Sequence, residues 1–117
     1  MAGNEQVYPA VLHDGDERTL ANLTALDADD SIGPSAADDC RNYTYWGFHC
    51  YSTKNGRVDV EYSMDNTTWR VLEQVMIVAT IPADYIYRKT ARFYRVTYTD
   101  LSSEASVVDL QTVRQNN

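Results

Sequence analysis

The sequence is poor in the residue types that most often carry chemistry or anchor a chain in lipid. Its 117 residues include two histidines and two cysteines, and ten Lys and Arg stand against 17 Asp and Glu. The resulting net charge of −7 and pI near 4.6 exclude the cationic field that phosphate backbones and anionic lipid surfaces require, so neither a nucleic-acid nor a membrane partner is expected. The longest apolar run, Val75-Met76-Ile77-Val78-Ala79, is far below the roughly 20 residues of a membrane-spanning helix. Met1 to Gln6 has neither a basic nor an apolar leader segment, which predicts no secretory signal. The sequence has no Gly-x-Ser-x-Gly elbow, phosphate-binding loop or His-Glu-x-x-His motif. His13, within His13-Asp14-Gly15-Asp16, reads as a turn residue, and the chain is expected not to be an enzyme.

The few thiols fit no strong motif. Cys40 and Cys50 are not a CxxC pair, and with His49 they form a partial zinc set that lacks a fourth ligand at the usual spacing. Two readings stay open: buried thiols on strands, or a Cys40–Cys50 bridge in an oxidising environment. Charge is uneven. Residues 1–40 hold nine acids against Arg18 alone, whereas residues 41–117 hold eight acids against nine bases. The acidic third is a solvated face or an arm that lies on a basic partner. Asp27-Ala28-Asp29-Asp30-Ser31-Ile32-Gly33 is partly like a calcium loop, but its glycine falls one place late and no Glu closes it. No cofactor is expected. The sequons at Asn22, Asn42 and Asn66 carry little weight without a leader.

What is abundant is alternation. Tyr43 to Tyr51 is aromatic on both faces and reads as a strand. Lys54-Asn55-Gly56 predicts a hairpin, and Arg57 to Ser63 then alternates with Val58, Val60 and Tyr62 inward. Asp65 to Thr68 predicts a second turn, residues 73–81 a strand ended by Pro82, and Ile86-Tyr87 a short strand. Ala91 to Thr99 carries Tyr94, Val96 and Tyr98 on one face, and Ser106 to Arg114 carries Val108, Leu110 and Thr112. With strands near Val7–Leu12 and Arg18–Ala25, and residues 27–39 as a loop, this predicts an all-β antiparallel β-sandwich of jelly-roll type with about eight strands. The expected organisation is an arm over residues 1–16, a sandwich over 17–114 and a polar tail over 115–117.

Asp59 and Glu61 share one strand face as a glycosidase pair might, but an exposed polar face explains them better. Nine Tyr, two Trp and two Phe supply flat rings with polar tips, suited to cores, interfaces and sugar stacking alike. Trp46, Tyr85 and Tyr87 are the candidate ligand or interface aromatics.

Three stretches together resemble a known module. Gly56-Arg57-Val58-Asp59-Val60-Glu61-Tyr62-Ser63-Met64-Asp65-Asn66-Thr67-Thr68-Trp69 and Ala91-Arg92-Phe93-Tyr94-Arg95-Val96-Thr97-Tyr98-Thr99-Asp100 resemble discoidin-like, galactose-binding-type jelly rolls. Followed by Ser106-Val107-Val108-Asp109-Leu110-Gln111-Thr112-Val113, they look like a β-sandwich module of tailed-bacteriophage virion proteins. The sequence departs in having Asp65-Asn66 where discoidin turns more often have Asp-Gly. The resemblance implies a virion structural protein, most like a capsid decoration (cement) protein on the capsid exterior, assembled in the host cytoplasm. Its implied partners are the major capsid protein and further copies of itself, as a trimer. Val7, Tyr8, Pro9, Val11 and Leu12 would be the apolar anchors of the arm. The alternative is a tail, neck or fibre module that binds host carbohydrate through the aromatics.

Overall fold

A computed structural model describes residues 16–116. Nine strands run in chain order: β1 (Asp16–Leu26), β2 (Ser31–Ile32), β3 (Asp38–Asp39), β4 (Tyr45–Ser52), β5 (Gly56–Ser63), β6 (Arg70–Ile77), β7 (Ala83–Arg88), β8 (Phe93–Asp100) and β9 (Ser106–Gln115). They form two antiparallel sheets: β1-β9-β4-β7, and β2-β8-β5-β6 with β3 also on β8. The protein is an all-β sandwich, as the alternation requires.

The core lies between the sheets and is built from alternate residues. Trp46, Phe48 and Cys50 of β4 and Val108 and Leu110 of β9 face Val58 and Val60 of β5 and Tyr94, Val96 and Tyr98 of β8, all fully buried. Their odd- or even-numbered neighbours stand on the outer faces. Tyr62, expected inward, is only partly buried, because it sits at the strand end opposite Tyr94.

Several expectations need correction. The Asn55-Gly56 pair does not make a hairpin: β4 and β5 lie in different sheets, and the chain crosses the sandwich there. Its glycine serves packing, since a Cβ on Gly56 would fall 2.1 Å from the Tyr98 hydroxyl. Asn55 is fixed by Ala79 N–H donating to its side-chain oxygen at 2.8 Å and Leu101 N–H to its carbonyl at 3.0 Å. The turn at Asp65 does join paired strands, β5 and β6. Asp65 Oδ1 accepts the N–H groups of Thr67 and Thr68, both at 2.9 Å, and Asn66 takes the left-handed conformation that Asn tolerates. The Asp-rich loop contributes β2 and β3 to the second sheet. The sandwich also reaches beyond its expected ends: Asp16 begins β1, and Gln115, expected in the polar tail, is a fully buried residue of β9. The strand expected near Val7–Leu12 lies outside the described residues.

Candidate functional site

One edge of the sandwich is unlike the rest. β6 closes the second sheet and β7 closes the first, and residues 78–82 carry the chain from one to the other. The Tyr87 hydroxyl donates to Glu73 Oε1 at 2.5 Å and ties the two edge strands together. Burial pushes the Tyr87 phenol well above its ordinary pKa, and the Glu73 carboxylate adds to the shift. Along this edge Val71, Leu72, Met76, Val78 and Ile81 are exposed, Met76 at 63%. A pocket of about 420 Å³ opens among Met76, Val78, Ile81, Pro82 and Tyr85. A cluster of apolar side chains left in water is the mark of a contact surface. In the sequence, residues 73–81 read only as a strand. The missed signal was that Val75, Met76, Ile77 and Val78 are apolar at both parities, so half of them cannot face the core.

The aromatics form a ladder behind this edge. Tyr85 stacks on Phe48 with centroids 5.3 Å apart, Tyr87 on Trp46 at 5.9 Å, and Trp46 on Tyr94 across the core at 5.0 Å. All three candidate aromatics are on strands, Trp46 on β4 and Tyr85 and Tyr87 on β7. Trp46 is fully buried on β4, and its indole N–H donates to Asp38 Oδ2 at 2.9 Å. It is therefore a core residue with no face for a ligand. Asp38, itself buried, is neutralised by Arg18 at 3.3 Å. Tyr87 is half-buried and spent on Glu73. Tyr85, 37% exposed, is the one of the three that offers ring surface to a partner.

The outer sheet faces are occupied by ion pairs. On the second sheet, Arg95 meets Glu61 at 2.8 Å and Arg57 meets Asp59 at 3.0 Å, so the carboxylates that might have resembled a glycosidase pair are each held by an arginine. The Arg95 guanidinium also lies 4.1 Å over the Trp69 ring. On the first sheet, His49 stands between carboxylates of both neighbouring strands, with Nδ1 2.6 Å from Asp84 and Nε2 3.5 Å from Asp109. Its pKa is raised, chiefly by the hydrogen bond to Asp84. At the sandwich end, the Arg92 hydrogen bond draws Asp39 down to about 2.

The partial zinc set does not converge, because His49 and Cys50 are consecutive on a strand and point to opposite faces. Both thiols are free and buried, so no Cys40–Cys50 bridge is present, and burial pushes each up to about 12. Among the described residues no group of three or more His, Cys, Asp or Glu side chains is placed to hold a metal ion, the Asp27–Asp30 turn included. The arm anchors Val7, Tyr8, Pro9, Val11 and Leu12 lie outside the described residues.

No protein-family model matches the chain, and no curated protein matches it. Solved structures do. The crystal structure of PBSX exported protein XepA aligns over 87% of this chain with a TM-score of 0.74 and 19% identity. The match takes up 37% of the XepA chain, so this chain spans about a third of that protein's length. The Yersinia pseudotuberculosis-derived mitogen aligns over 89% of this chain and 88% of its own, with a TM-score of 0.56 and 13% identity. At these identities the likeness is one of fold: this chain has the two-layer β-sandwich architecture of both.

Proposed function

We propose that this chain is a non-enzymatic structural module of a tailed-phage virion, and specifically a decoration protein that binds the outer surface of the head and stabilises contacts between major capsid protein subunits. The carrying observation is the apolar edge formed by β6 and residues 78–82. Its exposed side chains suit a protein surface, while the ion-paired sheet faces leave few free polar groups to converge on a reacting substrate. The three sequence stretches that resemble phage sandwich modules support the same reading, and so does a fold that recurs within a longer exported protein. A protein that binds only the assembled shell stabilises it by mass action, and many symmetric copies multiply a modest contribution at each site. The acidic segment with Val7, Tyr8, Pro9, Val11 and Leu12 would add a second contact.

The test is sedimentation of the purified chain with empty heads of its phage. Saturable co-sedimentation is expected, with most of it lost in a Met76→Lys, Ile81→Lys double variant that keeps the wild-type melting temperature. Undiminished binding by that variant would move the contact elsewhere, and absence of any binding would remove the capsid reading. The second reading, a tail or fibre module for host carbohydrate, rests on the exposed Tyr85 ring beside the pocket. Saturable binding to a defined sugar, lost on Tyr85→Ala, would favour it.

A further inference from the structure

Among the described residues, one side of the β7 backbone has no strand to pair with. On the β7 side of β4, Lys89 N–H donates to Thr44 O and Thr80 N–H to Ser52 O, both at 2.8 Å. On the β9 side, Thr53 N–H donates to Val107 O at 3.1 Å. In an antiparallel ladder the N–H and C=O of one residue point the same way, and the direction alternates along the strand. Even-numbered residues of β4 therefore bond to β7. The register Trp46 to Tyr87, Phe48 to Tyr85 and Cys50 to Ala83 then makes Ala83, Tyr85 and Tyr87 the residues of β7 that bond back. The backbone groups of Asp84, Ile86 and Arg88 point outward, and no strand among the described residues pairs with them, since β7 ends its sheet.

The side chains of the same three residues share the outer face of the first sheet with His49 and Gly47, to which Asp84 and Ile86 are directly opposed. In order they are an acid, an isoleucine and a base. We infer that β7 pairs antiparallel with β7 of a second copy about a two-fold axis through Ile86, joining two four-stranded sheets into one. In that register Ile86 faces Ile86, and Asp84 of each copy faces Arg88 of the other. All three outward-pointing residues then exchange backbone hydrogen bonds, and Tyr85 lies beside the partner copy's Tyr87 on the inner face. Other registers are opposed. Centring on Asp84 or Arg88 sets like charges against each other. Shifting by one pair places a charge against Ile86, and towards the chain start the strand runs into Pro82, which has no N–H to give. Gly47 adds to the fit, because its missing side chain is what lets Ile86 lie flat over β4: a Cβ there would be 2.5 Å from Ile86 Cδ1.

This contact is a property of the pure chain and does not depend on the virion reading, so it is tested without heads. Sedimentation equilibrium of the full chain is expected to show a monomer–dimer equilibrium. Arg88→Asp gives an edge with two acids, and Asp84→Arg gives one with two bases. Each variant alone is expected to weaken the dimer by about a hundredfold, because like charges then face each other at both ends of the pairing. Mixed in equal amounts, the two should recover a heterodimer, because each acid again meets a base. Arg88→Asp leaves the Asp84–His49 pair intact, so its melting temperature separates lost association from lost folding. Ile86→Cys should form a dimer on a non-reducing gel, since facing residues in a hydrogen-bonded antiparallel pair lie about 5.5 Å apart between Cα atoms, within reach of a disulfide. A monomer at all concentrations, a trimer, or a dimer indifferent to both charge reversals would each overturn the inference. So would protection of the β7 amides in a protein that stays monomeric, which would place another occupant on the edge.

Discussion

On the outer face of the second sheet, Glu61 is held by Arg95 at 2.8 Å and Asp59 by Arg57 at 3.0 Å. On the outer face of the first sheet, Asp84 and Asp109 are held by His49. The geometry is similar: a cation on one strand meets acids on its own or neighbouring strands across a pleated face. The difference is the cation. Guanidinium stays charged at any pH the fold meets, so the second sheet keeps its pairs throughout. Imidazole is charged only below its pKa, so the two His49 pairs of the first sheet hold on the acid side. The His49 cluster therefore answers to pH where the arginine pairs do not, and it sits beside the edge strand β7.

The largest perturbation abolishes the comparison by removing the support common to both layers. Trp46→Ala deletes the ring that stacks on Tyr87 and Tyr94 and strips Asp38 of its donor, and it should cost about 3–5 kcal/mol of unfolding free energy at every pH, read by urea denaturation. Gly47→Val acts on the first sheet alone. Its Cβ would meet the Tyr85 carbonyl at 2.3 Å, so β7 must shift away from β4, at a cost of about 1–3 kcal/mol, with faster amide exchange in β7 than in β5. His49→Gln sharpens the contrast. The folded pKa of His49 lies above its ordinary 6.5, so its stabilising contribution is complete below about pH 6.5 and lost as pH rises through the folded value. The wild type should therefore gain urea resistance on acidification through that window, and the variant should not. A variant with the same slope as the wild type would show that the two carboxylates do not act through His49. The smallest effect is expected from Arg95→Gln, about 0.5–1 kcal/mol, unchanged between about pH 6 and pH 8 and reduced by salt.

The strands were legible wherever one face is buried and the other is wet. Val58 and Val60, Tyr94 to Tyr98, and Val108 to Thr112 announce themselves by alternation, because each inward side chain meets the opposite sheet. Connections were less legible. Asn55-Gly56 has the composition of a tight hairpin, yet the same glycine is needed wherever a ring packs against backbone, and here that ring belongs to Tyr98, far along the chain. Asp38 looked like one more loop acid, because nothing local marks a carboxylate that will be buried under Trp46 and beside Arg18. The edge was half legible. The Val75–Val78 run was visible, but which of its residues remain in water depends on β6 having a neighbour on only one side, and that is decided by strand order. Tyr85 and Tyr87 were singled out for their rings, while the self-matching order of Asp84, Ile86 and Arg88 acquires meaning only once β7 is known to be terminal.

The first described strand finds its partner in the last: Asp16 and Arg114, 98 positions apart, sit side by side. On the ribosome, β1 must emerge and wait while every strand from β2 to β8 is made, because its neighbour β9 follows them all. Of the consecutive strands only β5 and β6 can zip together as they appear. Such a fold gains little from early local structure and commits late, in a step that joins its first and last described strands. Without β9, β1 would have no companion and the nascent sheet would stay open along that flank.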